Sequence, residues 1–225
     1  MKRSSNSYMK ESVSLQYPFW GPFLMDTMLP DKKIKELLKR GNKVRNSKED
    51  FQQTSPVDWE HEFYYEYNAF VTEHPYKCMV PAEHNVYTWF TETFGVYFNA
   101  YIQGLTGTWG VDLKTDKWSL ESLWINYMKA RDFNPPHNHS GILSFVIFCK
   151  VPREIFSVQA DSNAQRAGNL HFTYGEKISE LMGNEYPVEP FEHLMFIFPA
   201  ELKHFVSPYW VDAERISVSG NFIVV

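Results

Sequence analysis

The segment NPPHNHSGILSFVIF, Asn134 to Phe148, sets His137 and His139 two positions apart ahead of an apolar, β-branched run. In extended backbone, residues i and i+2 project from the same face, so two imidazoles at that spacing can grip one ion. A third histidine, His204, stands 65 positions beyond His139 in FIFPAELKHFV, where another apolar run ends and the next strand begins. Neutral imidazoles suit first-row transition metals such as Fe, Zn, Cu or Ni, whereas Mg and Ca demand oxygen ligands. Further on, the period of two puts Arg215 and Ser217 of RIS on one strand face. A guanidinium fork beside a hydroxyl is a receptor for a carboxylate, and an arginine in a strand-rich interior needs a charge partner. The plain alternative for Arg215 is a surface ion pair with Glu214 or Asp212. For any single histidine, a surface or core-edge position is the ordinary outcome; only convergence of the set makes a site.

The elements that must bring these residues together change character along the chain. Residues 1–14 are polar and Ser/Lys-rich, which suits a flexible arm. In LPDKKIKELLKRG the spacing of Ile34, Leu37 and Leu38 predicts a helix capped by Asp31 and stopped at Gly41. Val86, Phe90, Phe94 and Phe98 recur every four residues and predict a second helix that ends at Gly104. From Lys117 onward the pattern is that of strands. KWSLESLWINYMKA, ILSFVIFCKV, GNLHFTYG, LMFIF and RISVSGNFIVV are alternating or continuously apolar runs separated by Pro, Gly and Asn turns. The expectation is one mainly β domain over 1–225, a sandwich or roll of antiparallel sheets over 117–225 with helical support over 15–116. The polar insert VPREIFSVQADSNAQRAG between two of those strands has the character of a mobile lid or of a surface loop.

Bulk properties narrow the function. The 225 residues are 44% hydrophobic and 17% aromatic, enough for one substantial core. A net charge of −5 and a pI of about 5.9, without a Lys/Arg stripe, give no strong nucleic-acid signal. Cys78 and Cys149 lie far apart and outside any C-x-x-C spacing, so neither a disulfide framework nor a zinc ribbon is expected. No stretch has the length and apolarity of a membrane span, and the N-terminus lacks the apolar core of a secretion signal, which points to the cytoplasm.

The combination of H-x-H, a distal histidine and Arg-x-Ser resembles the double-stranded β-helix (jelly-roll, cupin-like) of the iron(II)- and 2-oxoglutarate-dependent oxygenases. The texture NPPHNHSGILSFVIF, GNLHFTYG, FIFPAELKHFVSPY and ERISVSGN, together with PFWGPF near the N-terminus, is similar to a prolyl-hydroxylase-like branch found in cyanophages and marine bacteria. The resemblance covers roughly Leu120 to the C-terminus. It implies Fe(II) as metal and 2-oxoglutarate and O2 as cosubstrates, with oxidative decarboxylation coupled to hydroxylation of a C–H bond. Residue by residue, His137 and His204 match the two histidine ligands, and Arg215 with Ser217 matches the anchor for the far carboxylate of 2-oxoglutarate. Asn126 and Tyr127 fall where related enzymes contact the cosubstrate. His139 is the departure, since most of the superfamily carries Asp or Glu there, and the expectation is a three-histidine iron face. In the same reading Phe145, Phe172, Phe196 and Phe198 are pocket walls and His171 is a pocket-lining candidate. The host cell's cytoplasm is the implied location if a phage encodes the chain.

The resemblance leaves the substrate open among a protein side chain, a small metabolite and a nucleobase. It also leaves two competing functions. A non-catalytic β-roll interaction module, with or without metal, draws on the missing carboxylate. A three-histidine dioxygenase that cleaves its own substrate without 2-oxoglutarate would have no use for Arg215.

Overall fold

In the computed structural model, residues 21–46, 62–64, 86–111, 118–156, 166–176 and 183–224 are described. Two antiparallel sheets face each other, and two helices back the larger one. The strands are β1 (Met25–Met28), β2 (Glu62–Tyr64), β3 (Trp118–Met128), β4 (Asn134–His137), β5 (Leu143–Lys150), β6 (Leu170–Thr173), β7 (Glu185–Val188), β8 (Leu194–Pro199), β9 (Lys203–Val206) and β10 (Arg215–Val224). The major sheet has the order β1-β8-β5-β10-β3-β2, and the minor sheet β4-β9-β6-β7. From β3 on, the chain passes repeatedly from one sheet to the other, and apart from the paired β6 and β7, strands adjacent in space are not consecutive in sequence. That winding is the double-stranded β-helix of a jelly roll.

Alternation along the major strands sorts side chains between two cores. Ile125 and Tyr127 of β3, Phe145, Ile147 and Cys149 of β5, Met195 and Ile197 of β8, and Ile216 and Val218 of β10 join the helices in one cluster. Met128, Phe148, Leu194, Phe196 and Phe198 face the other way and meet Leu170, Phe172 and Val206 of the minor sheet. The second cluster fills the space between the sheets, and the functional residues border it.

The helices α1 (Asp31–Asn46) and α2 (Val86–Trp109) both run past their expected stops. Gly41 lies buried inside α1, where tertiary packing outweighs the roughly 1 kcal/mol penalty of a helical glycine. Helix α1 starts with Asp31 in its first turn, and the amide of Ile34 bonds to Pro30 O, so Asp31 serves as a first-turn acid. Gly104 is a contact surface: a Cβ there would come within 3.0 Å of the Phe23 ring. The Tyr101 hydroxyl donates to Phe23 O at 2.8 Å and fixes that approach. On α2, Phe90, Phe94, Phe98 and Tyr101 are buried, with Phe90 stacked on Phe145 at 4.9 Å. The N-terminal portion is more than helical support, because β1 and β2 form the two edges of the major sheet.

Among the described residues, no helix is long and apolar enough to cross a membrane. Cys149 is buried in the helix-side core. Cys78, His61, His74, His84 and residues 157–165 of the lid candidate lie outside the described residues, and Arg153–Phe156 at the start of that insert form a 3-10 turn.

Candidate metal and cosubstrate site

The pairing of β4 with β9 sets His137 directly opposite His204. His139 lies just past β4, where its amide bonds to Ala200 O at 2.9 Å and holds the turn against the β8–β9 connection. The ligand-capable atoms of His137, His139 and His204 all lie within 4.8 Å of one another. Ring centroids are 4.9 Å apart for His137 and His139, 4.3 Å for His137 and His204, and 5.0 Å for His139 and His204. The three histidines singled out from the motif therefore form one cluster, with His204 buried and the others half-buried.

Hydrogen bonds settle which nitrogens face the cluster. Nδ1 of His137 donates to Pro135 O at 2.7 Å and Nδ1 of His204 donates to Leu202 O at 2.9 Å, so both rings turn an Nε2 lone pair away from those carbonyls, that of His137 toward Asn134 Nδ2 at 3.5 Å. Nε2 of His139 lies 3.2 Å from Nε2 of His204. At that distance a neutral His139 can donate its Nε2–H to the His204 lone pair, and a cation can take that proton's place. The indole of Trp124 packs 5.3 Å from the His139 ring, and Phe198 meets the His204 ring at 5.0 Å. Apolar walls thus flank the cluster on two sides.

Burial, reinforced by His204 and His137, lowers the pKa of His139 to about 3. Burial and the nearby His137 lower that of His204 to about 4, against the opposing bond to Leu202. His137 is lowered by burial, with Pro135 O opposing. All three are neutral at pH 7, the protonation state a metal requires. In the unfolded chain these groups protonate near pH 6.5, so between pH 6.5 and 4 the unfolded state binds more protons than the native state. The stability they confer is complete above pH 6.5 and declines as pH falls. Urea unfolding of the metal-free protein should show about 2–4 kcal/mol less stability at pH 5 than at pH 7.5 from His139 and His204 together. The His139→Gln variant should show a flatter dependence.

Arg215 opens β10 and is 3% exposed. Its Nη1 donates to Gly168 O at 2.8 Å, its guanidinium lies 5.7 Å from the Phe148 ring centre, and its Nε has no hydrogen-bond partner among the described residues. Among those residues no carboxylate comes within ion-pair distance, so the alternative pairing with Glu214 or Asp212 is not formed. Burial lowers its pKa to about 10, which leaves it fully charged at neutral pH. A buried cation with an unused N–H is costly until an anion arrives. Gly168, at φ +71°, presents the carbonyl that orients the fork, and a Cβ there would strike Ile155 at 2.5 Å. Ser217 is also buried, two residues along the same face.

Tyr127 and Asn126 are separated by the pleat of β3. Asn126 pairs with Ser217 across the sheet and is half-buried. Tyr127 belongs to the helix-side core, away from Arg215 and Ser217. Phe145 likewise stacks under α2, whereas Phe172, Phe196 and Phe198 do line the space between the sheets. His171 points to the opposite face of β6 from Phe172. It bonds Glu185 at 2.6 Å through Nδ1 and Ser207 at 2.8 Å through Nε2, and stacks on Phe205. It plays no part in the histidine cluster. Asp132 and Glu192, two carboxylates that could replace the missing acidic ligand, accept backbone amides of Lys129 and Val151 instead.

A jelly roll that brings three imidazoles together beside the minor sheet and buries an arginine on the major sheet is the arrangement that the sequence resemblance implies. Residues 122–221 match the family described as "Putative 2OG-Fe(II) oxygenase". No curated protein matches the chain in sequence. Among solved structures, a Pseudomonas putida prolyl-4-hydroxylase superposes with a TM-score of 0.54 at 13% identity, covering 91% of this chain and 94% of that one. The viral collagen prolyl hydroxylase of Paramecium Bursaria Chlorella virus-1, solved with 2-oxoglutarate, gives 0.51 at 12% identity, covering 91% and 97%. HygX from Streptomyces hygroscopicus, with nickel and 2-oxoglutarate bound, gives 0.55 at 6% identity, covering 91% and 83%. At such identities these three establish the fold.

The superfamily's Fe(II) and 2-oxoglutarate fit the residues present. Three neutral imidazoles are a sound donor set for iron, and the unpartnered Nε of a buried guanidinium is a socket for a carboxylate.

Proposed function

We propose that this protein is a hydroxylase in which His137, His139 and His204 hold Fe(II), Arg215 and Ser217 hold the far carboxylate of 2-oxoglutarate, and Asn126 borders the cosubstrate. The observation that carries the reading is the convergence of three neutral imidazoles from separate segments within 4.8 Å. When bound, iron with 2-oxoglutarate and O2 supplies oxidative decarboxylation to succinate and CO2 together with oxygen insertion into a C–H bond. The chain's own contribution is positional. Backbone carbonyls fix two imidazole tautomers, Trp124 and Phe198 keep the flanks apolar, and Arg215 fixes the direction from which the 2-oxo acid enters.

The favoured substrate is a protein side chain, on the likeness to two prolyl hydroxylases. A small molecule and a nucleobase are the other substrate classes. The working location is the cytoplasm, that of the host where a phage encodes the chain. The test is succinate formation from 2-oxoglutarate with Fe(II) and O2, first without substrate and then with proline-containing peptides. Succinate that rises with peptide supports the hydroxylase. No succinate under any condition, with metal still bound, would favour a metal-binding interaction module.

A further inference from the structure

The His137 ring is approached from both ends. Its Nδ1 faces Pro135 O, and its Nε2, the nitrogen left for a metal, has the carboxamide Nδ2 of Asn134 at 3.5 Å. Donors bound at about 2.1 Å to one ion stand roughly 3.0 Å apart at a right angle and roughly 3.4 Å apart at a tetrahedral angle. The Nε2 atoms of His139 and His204, 3.2 Å apart, fall in that range. The amide end of Asn134, 3.5 Å from His137 Nε2, sits just past its upper limit, beside the nitrogen left for a metal. A half-turn of the terminal torsion exchanges Nδ2 for Oδ1, so the same place can be taken by an oxygen donor. Asn134 is half-buried and opens β4 opposite Val206, which holds its backbone beside the strand that carries His204.

We propose that Asn134 is a fourth, displaceable metal donor: its Oδ1 coordinates the ion when no 2-oxo acid is bound and gives way when one chelates. This rests on the three-histidine reading of the site. Three imidazoles supply no negative charge, and a neutral carbonyl oxygen completes a set of four donors without binding so firmly that it blocks the cosubstrate. By linkage, a donor that must leave opposes the ligand that displaces it.

The experiment titrates Co(II), and then N-oxalylglycine onto the Co(II)-loaded protein, by calorimetry and visible absorption in wild type, Asn134→Ala and Asn134→Asp. For Asn134→Ala the expected result is about tenfold weaker Co(II) binding, an altered visible spectrum, and N-oxalylglycine binding several-fold tighter than in wild type. For Asn134→Asp it is tighter Co(II) and weaker N-oxalylglycine. A residue that only steadies the His137 ring would weaken both ligands in Asn134→Ala and leave the spectrum of the bound form unchanged; that result overturns the proposal. Unchanged affinities and spectra overturn it as well. Failure of the wild type to bind Co(II) at all would instead refute the three-histidine site, and the Asn134 assignment with it.

Discussion

Arg215→Met lowers the affinity of the metal-loaded protein for 2-oxoglutarate or N-oxalylglycine by on the order of 10²–10⁴, while the ligand-free protein is no less stable than wild type. The first half follows from two charge-assisted hydrogen bonds, worth about 1.5–3 kcal/mol each when made to a carboxylate. The second half follows from what the guanidinium does without ligand. It is 3% exposed, has one bond to Gly168 O and leaves Nε unused. Replacing an uncompensated buried ion by an apolar side chain of similar volume is neutral or stabilising. Calorimetric titration and urea unfolding measure the two halves on the same sample. A variant that kept its cosubstrate affinity would show that the anchor lies elsewhere, and one that lost several kcal/mol of stability would make Arg215 a structural residue. Arg215→Lys should recover only part of the affinity, because an ammonium cannot present a fork.

His204→Ala is expected to cost at least about 100-fold in affinity for Fe(II) or Co(II), and His171→Ala less than about twofold. Both histidines are almost fully buried, and they lie opposite each other's neighbours on paired strands, His204 against Phe172 and His171 against Phe205. Only the face differs. His204 projects with Phe172 and Phe198 toward the interior, and His171 projects outward to Glu185 and Ser207. Equal losses in the two variants would mean that metal binding merely reports stability. His139→Asp restores the carboxylate found in most of the superfamily, and it is expected to bind the ion at least as tightly as wild type, since a negative charge then offsets part of the ion's own.

The contrast between those two histidines shows what one-dimensional spacing conveys. Strands β3, β5 and β10 are legible because their alternation or continuous apolarity exceeds anything a loop would carry. Strand β4, Asn134–His137, contains two prolines and does not read as a strand; it is tolerated because it forms the edge of the minor sheet, where missing donors go unpaired at no cost. The need of Arg215 for an anionic partner is legible from the expense of burying a charge, a cost that holds whatever the fold. The grouping of Asn126 with Tyr127 fails on the pleat, since adjacent residues in a strand cannot share a face. The nearness of Asn134 to His137 depends on a register shift between them in the β4–β9 pairing, which no periodicity reveals. Gly104 looks like a helix stop until Phe23, far away in sequence, is seen pressed against it.

Anomalous diffraction at the iron edge, from crystals soaked with Fe(II) and N-oxalylglycine under argon, bears most directly on the site. The expected result is a single iron peak about 2.2 Å from one nitrogen each of His137, His139 and His204, with the far carboxylate of the analogue on the Arg215 guanidinium. A peak that omits any of the three histidines, or an analogue that leaves Arg215 untouched, would contradict the assignment of this fold to iron and 2-oxoglutarate chemistry.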